Sequence, residues 1–401
     1  MKMKRTVRLV LTTAVVVTSA LSLAAVPGLA GASAAKATDH YLAADTRLNF
    51  SATISGAGST FAAPLENAAQ ALYQARTANA TLNGYQAVGS GTGETDLLKG
   101  LVDWGGSDVP LAQSDINKDE PSGSHFTVGQ FLQIPIGLGG VAIPYNVPGL
   151  KAGTTLTMTA SLLGWIYEGK ITRWNSSKIK ALNPKIKLPN AKIVVVARGD
   201  SSGTTYIFTN FLHVAAPNVW KTSPSKTALT LPNGGIAGAG NAGVAADVQN
   251  TKNSIGYVEY SYLLLNPSLL RGVAAIINKS RKAVLPSIAG IALAAAARPK
   301  VSSTAFSIVY EPGLKSYPIA GYTWAIIFKS NRTNDHEGTL LVKYLDWLSH
   351  SGAVNGTVAG QEVAALQGYV PLPAKIQVLA RTTLLKCHGS HDQTLLTTNG
   401  S

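Results

Sequence analysis

The chain has 401 residues, a length that can bury a large core and form two or three domains. It is basic, with a formal net charge of +14, although only 13% of its residues are charged, about half the usual share. Its lysines and arginines are scattered and form no aromatic-interleaved basic stripe, which argues against a nucleic-acid partner. Cys387 is the sole cysteine, so an intramolecular disulfide is excluded.

The first residues show the pattern of an export signal. A basic start precedes an apolar run from Leu9 to Val26 and then Ala32-Ser33-Ala34, a sequence that suits signal peptidase. We therefore predict a signal peptide over residues 1–34, cleaved near Ala34, and an exported protein that is periplasmic or on the cell surface. An uncleaved membrane anchor is the alternative. The basic balance of such a protein suits acid surroundings or attracts anions.

Short apolar runs then alternate with helical patterns, which predicts α/β architecture with parallel sheets. In chain order the patterns predict a helix over 63–77, a strand over 82–88, a helix over 94–101 with an acid in its first turn, a tight turn over 104–108, strands over 132–145, a helix over 161–168, a strand over 193–197 and a helix over 206–213. The polar residues that follow Cys387 predict a disordered tail over 387–401 and argue against a metal site there.

Four turns rich in Gly, Ser and Thr lie at strand-to-helix junctions, at residues 56–61, 89–93, 105–108 and 199–204. In an open α/β sheet such junctions line the ligand crevice. Their neutral hydroxyl donors are Ser59, Thr60, Ser90, Ser107, Ser202 and Thr204. One such turn is ordinary turn chemistry, but four with hydroxyl groups at matching places predict an anion site.

The last of these turns has two interpretations. Arg198 places a planar cation beside small residues and a helix start, which favours an oxyanion site. Residues 199–203 also spell the G-x-S-x-G of a hydrolase elbow, with Ser201 as nucleophile. A triad then needs an acid and a histidine further along the chain. Asp335-His336 supplies both residue types, but adjacent residues point to different faces.

Asp108 is the unusual member of the set. A carboxylate beside an anion is repulsive unless the anion carries its own proton, because an ionised carboxylate accepts hydrogen bonds and cannot donate them. Such a residue rejects a fully ionised anion such as sulfate and admits protonated phosphate. The alternative interpretation is that Asp108 caps a turn.

Longer segments carry a family resemblance. They are GAGSTFAAP at 56–64, YQAVGSG at 85–91, VDWGGSD at 102–108, LQIP at 132–135, GGV at 139–141, IYEGKI at 166–171, WN at 174–175, LNP at 182–184, RGDSSGT at 198–204, IGYVEY at 255–260 and YVPLP at 369–373. With these segments in order across about 51 to 380, the chain resembles the substrate-binding proteins, of the PstS type, of bacterial high-affinity phosphate ABC transporters.

The resemblance implies a two-lobed α/β fold of the type II periplasmic binding proteins, with a ligand cleft between lobes joined by a two-segment hinge. One lobe would comprise residues 51–142 and 319–386, and the other 143–318. The implied function is extracytoplasmic capture of inorganic phosphate and its delivery to the membrane permease subunits of a phosphate ABC transporter. We expect a monomer that is not an enzyme and uses no metal or cofactor.

The resemblance also implies which residues form the site. The phosphate-binding residues would be Thr60, Phe61, Ser90, Asp108, Arg198, Ser202, Gly203 and Thr204. Asp200 would pair with Arg198 and orient it. Two other functions stay open, a secreted serine hydrolase that uses Ser201 and a binding protein for another oxyanion such as sulfate or molybdate.

Overall fold

The computed structural model describes residues 48–396, apart from 152, 299, 305–306, 332–333 and 355–356. The predicted signal peptide, its cleavage position and the last residues of the predicted tail lie outside the described residues. Every element given below belongs to one compact unit of the chain.

Helices and strands alternate along most of the chain. The helices are α1 (Ala63–Arg76), α2 (Ser90–Leu98), α3 (Gln113–Asp119), α4 (Ala160–Tyr167), α5 (Ser177–Leu182), α6 (Gly203–Ala215), α7 (Gly240–Asn250), α8 (Ser261–Leu265), α9 (Ile288–Ala297), α10 (Asp335–Ser349), α11 (Gly360–Leu366) and α12 (Ala374–Leu384), with 3-10 turns at Val128–Gln130 and Pro267–Arg271. The strands are β1 (Ala52–Gly58), β2 (Ala80–Gln86), β3 (Trp104–Ser107), β4 (Phe131–Ala142), β5 (Tyr145–Asn146), β6 (Thr157–Met158), β7 (Val194–Arg198), β8 (Ile236–Gly238), β9 (Ser254–Ile255), β10 (Val258–Glu259), β11 (Ala275–Ile277), β12 (Ala283–Val284), β13 (Ala320–Phe328), β14 (Ala353–Val354) and β15 (Thr357–Val358).

The first lobe is built on a six-stranded sheet in the order β10-β4-β13-β3-β1-β2. Strands β1, β2 and β3 are parallel, as predicted. Strand β13 is antiparallel to both β3 and β4, and β10 is antiparallel to β4, so this sheet is mixed and the prediction of parallel sheets holds here only for β1, β2 and β3. The cause is long-range, because β13 returns to the sheet after the chain has built the second lobe, and no local pattern encodes that direction.

Strand β4 is a long strand of this sheet, and all 12 of its residues are buried. Its ladder with β13 runs from Phe131 opposite Phe328 to Gly140 opposite Ala320, with a register shift between Thr323 and Trp324. Pro135 sits at this shift, where a residue without a backbone N–H is tolerated. The strand ends at the segment that leads into the second lobe.

The second lobe is built on a four-stranded sheet in the order β5-β9-β7-β8, in which β7 is parallel to both β8 and β9. A three-stranded sheet, β12-β11-β6, extends it. Strand β4 of the first sheet ends at Ala142 and strand β13 of the same sheet begins at Ala320, and the sheets of the second lobe are built from the chain between them. One short strand departs from this division, since β10 pairs with the end of β4.

Three predicted boundaries near the turns need correction. Helix α2 begins at Ser90 and not at residue 94, so Glu94 lies beyond its first turn. The predicted tight turn over 104–108 is mostly strand β3, and Asp108 follows its carboxyl end. Helix α6 begins at Gly203 and not at residue 206. Gly, Ser and Thr lower helix propensity in an interior but are well suited to a helix start, which explains the late prediction of both helices.

The predicted disorder of the tail is wrong for residues 387–396. Cys387 and Leu396 are 2% and 1% exposed and belong to the main hydrophobic core. His388 forms β-bridges with Ser330 and Thr394. The polar composition of this segment predicts disorder, but a few apolar side chains suffice to pack a short terminal segment against a core built elsewhere in the chain.

Candidate functional site

The predicted turns meet in one place between the two lobes. Residues after β1, β2 and β3 come from the first lobe, and residues after β7 come from the second. All of the predicted phosphate-binding residues are buried: Thr60, Phe61, Ser90, Asp108, Arg198, Ser202, Gly203 and Thr204. Direct contacts close the cleft, because Gly203 N donates to Ser90 Oγ at 3.1 Å and Gly91 N donates to the Ser201 carbonyl at 3.2 Å.

Hydroxyl groups in the cleft are placed as donors. Ser90 Oγ accepts from Gly203 N, and Ser202 Oγ accepts from Thr205 N at 3.1 Å as the N-cap of α6. Thr204 Oγ1 accepts from Arg198 Nη1 at 3.3 Å. A hydroxyl that already accepts a protein hydrogen bond keeps its own proton to donate. These groups therefore suit an anion.

Two other hydroxyl groups from the predicted turns have a different use. Ser59 Oγ donates to Asp108 Oδ1 at 2.6 Å and accepts from Phe61 N at 3.0 Å. Ser107 Oγ lies 2.7 Å from Glu94 Oε1, to which it donates. Their protons are used within the protein, so Ser59 and Ser107 support the site and are not ligand donors, contrary to the expectation from the turns.

Asp108 places one acceptor in this donor-rich cleft. Its side chain is only 2% exposed, and among the residues that the structure describes its Oδ2 has no hydrogen-bond partner. Burial raises the pKa of Asp108 to about 6, against the opposing effects of the Ser59 hydrogen bond, the nearby Thr323 hydroxyl and the Arg198 charge. The carboxyl group therefore gains and loses its proton at a pH not far below neutral, which suits a residue that shares a proton with a ligand.

Gly203 permits this placement. A Cβ at this position would lie 2.4 Å from Asp108 Oδ2, which is closer than any real contact of that kind. Only glycine lets the start of α6 approach the carboxylate this closely. The contact therefore ties the first helical turn of one lobe to the acidic residue of the other.

Arg198 is the cation of the cleft, and it is 1% exposed. Its Nε donates to Asp200 Oδ1 at 2.7 Å, and its Nη2 donates to Asp200 Oδ2 in a second, shorter bond. Burial raises the pKa of Asp200, but the hydrogen bonds and charge of Arg198 outweigh burial and hold that pKa below its ordinary value. The predicted contact between the two residues is present, and it leaves the guanidinium charge partly compensated.

Asn241, at the start of α7, is a site residue that sequence reasoning missed. Its Nδ2 donates to Thr60 Oγ1 at 2.9 Å and to Thr204 Oγ1 at 3.0 Å, thus joining hydroxyl groups from the two lobes. Its backbone N–H also donates to Thr60 Oγ1 at 3.2 Å. A fifth glycine-rich turn, residues 238–243 after β8, was the available signal, and its Gly240 has a φ of +63°.

The residues of the alternative hydrolase triad lie apart. His336 stacks on Phe50 with ring centroids 4.1 Å apart, near residues 51–53 and 79–81 at the amino ends of β1 and β2. Ser201 instead contacts Gly91, beyond the carboxyl ends of those strands. Asp335 accepts hydrogen bonds from Ser390 and Gln393. Neither Asp335 nor His336 is therefore placed to activate Ser201.

Within the described ranges, no group of three His, Cys, Asp or Glu side chains is arranged to hold a metal ion. Helices that could cross a membrane were also sought in this part of the chain, and none is both long and apolar enough.

Comparison with known proteins agrees with this geometry. Residues 32–351 match the family model described as the PBP superfamily domain. The chain is 34% identical over 329 residues to the phosphate-binding protein PstS of Haemophilus influenzae, covering 81% of this chain and 90% of that protein. The chain belongs to the PstS family of the PBP superfamily.

Solved structures share the fold of this PstS family member. A high affinity periplasmic phosphate-binding protein, PfluDING, bound with phosphate, matches with a TM-score of 0.66 at 23% identity, over 82% of this chain and 93% of that one. A phosphate binding protein from Stenotrophomonas maltophilia matches with a TM-score of 0.61 at 24% identity, over 83% and 94%. These matches support the two-lobed type II fold predicted from the sequence.

Proposed function

We propose that this PstS family member captures inorganic phosphate outside the inner membrane and delivers it to the permease subunits of a phosphate ABC transporter. Relatives with this name and similar solved structures bound to phosphate support the proposal. The protein acts as a carrier and performs no chemistry on its ligand. Export depends on the signal peptide predicted over residues 1–34, with cleavage near Ala34, and the mature protein acts as a monomer.

The proposal rests on one observation, that a buried hydrogen-bond acceptor, the Asp108 carboxylate, lies among hydrogen-bond donors. Asp108 Oδ2 lies in a cleft that also presents hydroxyl protons and the guanidinium of Arg198, whose charge Asp200 partly compensates. A ligand that satisfies both must be an anion that also carries a proton. Phosphate at neutral pH meets this condition, whereas sulfate and molybdate do not.

We assign roles to the predicted residues accordingly. The donors are the hydroxyl groups of Thr60, Ser90, Ser202 and Thr204. Phe61 and Gly203 complete the set of binding residues, and their N–H groups donate to Ser59 Oγ and Ser90 Oγ. Arg198 supplies charge, Asp200 orients it and Asp108 accepts the proton of phosphate. Because the helices α2 and α6 begin at the cleft, their positive dipole ends also stabilise the anion.

The lobes would close over phosphate by motion about the two connecting segments. We assign residues 51–142 and 319–386 to one lobe and 143–318 to the other, with β10 contributed to the first sheet. Closure removes water from the anion, so that the fixed dipoles of the protein replace its hydration shell. The closed surface would then be the one presented to the permease.

Isothermal titration of the mature protein tests the function. We expect tight, saturable binding of phosphate and no measurable binding of sulfate or molybdate at the same pH and salt concentration. Tight sulfate binding, or no phosphate binding, would overturn the proposal. Release of a chromogenic product from ester substrates, abolished in Ser201→Ala, would instead support the hydrolase alternative.

A further inference from the structure

A lysine from the second lobe reaches across the cleft beside the proposed phosphate site. Lys226 lies in the segment between α6 and β8. Its Nζ forms an ion pair with Glu94 Oε2 on α2 and lies 3.2 Å from Asp115 Oδ2 on α3, both in the first lobe. Lys226 thus contacts two acidic residues of the opposite lobe when the cleft is closed.

Both ends of this contact are anchored to the proposed site. The Lys226 carbonyl accepts from Ser202 N at 2.7 Å. The preceding residue, Ser225, is held in turn, because its backbone N donates to Thr209 Oγ1 at 3.2 Å. On the other side, Glu94 Oε1 accepts from Ser107, the neighbour of Asp108. A movement that separates the lobes must therefore separate Lys226 from Glu94.

The burial of Glu94 makes that separation costly. Its side chain is 2% exposed, and that of Lys226 is 15% exposed. Burial raises the pKa of Glu94 despite the opposing charge of Lys226. A carboxylate in such surroundings depends on its cation, and removing one member of a buried pair destabilises more than the pair itself stabilises. The closed arrangement is the one in which Glu94 keeps its cation.

We propose that Lys226, through Glu94 and Asp115, is a latch that stabilises the closed cleft and slows the release of phosphate. It is a positioning residue, because it contacts residues that flank the ligand site and not the ligand. The inference rests on the proposed phosphate-binding function. The latch contributes to the lifetime of the complex and leaves the choice between anions to Asp108.

Lys226→Met in the mature full chain tests the latch, because the change keeps the aliphatic stem and removes the charge. We expect phosphate to dissociate about 10- to 100-fold faster in stopped-flow displacement. This range lies below the loss typical of a fully buried ion pair, because Lys226 is partly exposed. Its association rate should change by less than about threefold, since the encounter precedes closure. Lys221→Met, an exposed lysine of the same segment, is the matched control and should match the parent.

A double variant separates the latch from a general loss of structure. In Lys226→Met/Glu94→Gln the buried carboxylate is gone, so dissociation should be slower than in Lys226→Met alone. If Lys226→Met does not fold, Asp115→Asn, which removes the more exposed partner, should still accelerate release by a smaller factor. An unchanged release rate in the folded variants refutes the latch, whereas a parent that does not bind phosphate refutes the proposed function itself.

Discussion

Asp108 is the residue on which the selectivity of the proposed anion site depends. Arg198 and several hydroxyl protons attract any tetrahedral oxyanion, so they cannot distinguish phosphate from sulfate. In the proposed site Asp108 would make this distinction, because its Oδ2 has only lone pairs to offer. Ser59 holds the other carboxylate oxygen at 2.6 Å, which fixes the direction in which Oδ2 points. The selectivity of the proposed site for phosphate over sulfate therefore depends on the orientation of the Asp108 carboxylate as well as on its charge.

Replacing this acceptor predicts a change of specificity. Asp108→Asn presents an amide that can donate to a fully ionised oxygen, so we expect sulfate binding to become measurable, strengthened at least about tenfold, which is roughly 1.4 kcal/mol. Phosphate binding should weaken, because its proton loses the charged acceptor, by about 1.5–3 kcal/mol. Competition titrations of both anions measure the two effects.

The control for this substitution is Asp392→Asn, whose side chain is 92% exposed. It should bind both anions as the parent does. If a folded Asp108→Asn protein still excludes sulfate, the Asp108 carboxylate does not select phosphate by accepting a hydrogen bond from its proton.

At the scale of elements, the cleft is built from helix starts. Helices α2, α6 and α7 begin at Ser90, Gly203 and Gly240, next to the residues that would contact the ligand. Two of these starts were placed three or four residues too late from the sequence, because glycine and hydroxyl residues read as turn. The third was not predicted at all, and with it Asn241 was missed.

This difference has a physical origin. The loop around Arg198 was recognisable because a charge stands beside small residues, a combination with few structural uses. Asn241 is a neutral amide in a glycine-rich stretch, and its importance depends on two distant threonines that only the fold brings together. Local patterns identified the cleft and its charged residues, but not the hydrogen bonds that orient its hydroxyl groups.

Asn241 therefore supplies the prediction at this scale. Asn241→Ala removes the amide that orients the Thr60 and Thr204 hydroxyl groups, which would then be free to turn away from the ligand. We expect phosphate affinity to fall about 5- to 50-fold, corresponding to roughly one or two neutral hydrogen bonds. Asn250→Ala, at the exposed end of the same helix, is the control in titration calorimetry. Equal affinities for the two variants would contradict the assignment of Asn241 to the site.

On the scale of the whole molecule, burial of acids is widespread. Burial raises the pKa of a set of carboxyl groups in both the cleft and the lobes, namely Glu66, Glu94, Asp103, Asp108 and Glu259. The values reach about 6 for Asp108 and about 8 for Glu259. Because charged residues are few, these groups weigh heavily in the pH dependence of folding.

The sign of that dependence follows from linkage. A carboxyl group with a raised pKa in the folded state contributes stability that is fully present below its unfolded pKa, about 4, and is lost as the pH rises through the folded value. For Asp108 the loss falls between about pH 4 and 6, and for Glu259 between about pH 4 and 8. Both changes favour the folded protein in acid.

We therefore predict that the phosphate-free mature protein unfolds at a higher temperature at pH 5 than at pH 8. The difference in the free energy of unfolding should be on the order of a few kcal/mol, since each unit of pKa shift corresponds to about 1.4 kcal/mol. Differential scanning calorimetry at constant ionic strength measures it. Glu259→Gln should flatten the profile most, because its neutral amide does not titrate and Glu259 has the larger shift. Stability that is equal at the two pH values, or greater at pH 8, would mean that these buried carboxyl groups do not govern the pH response of the fold.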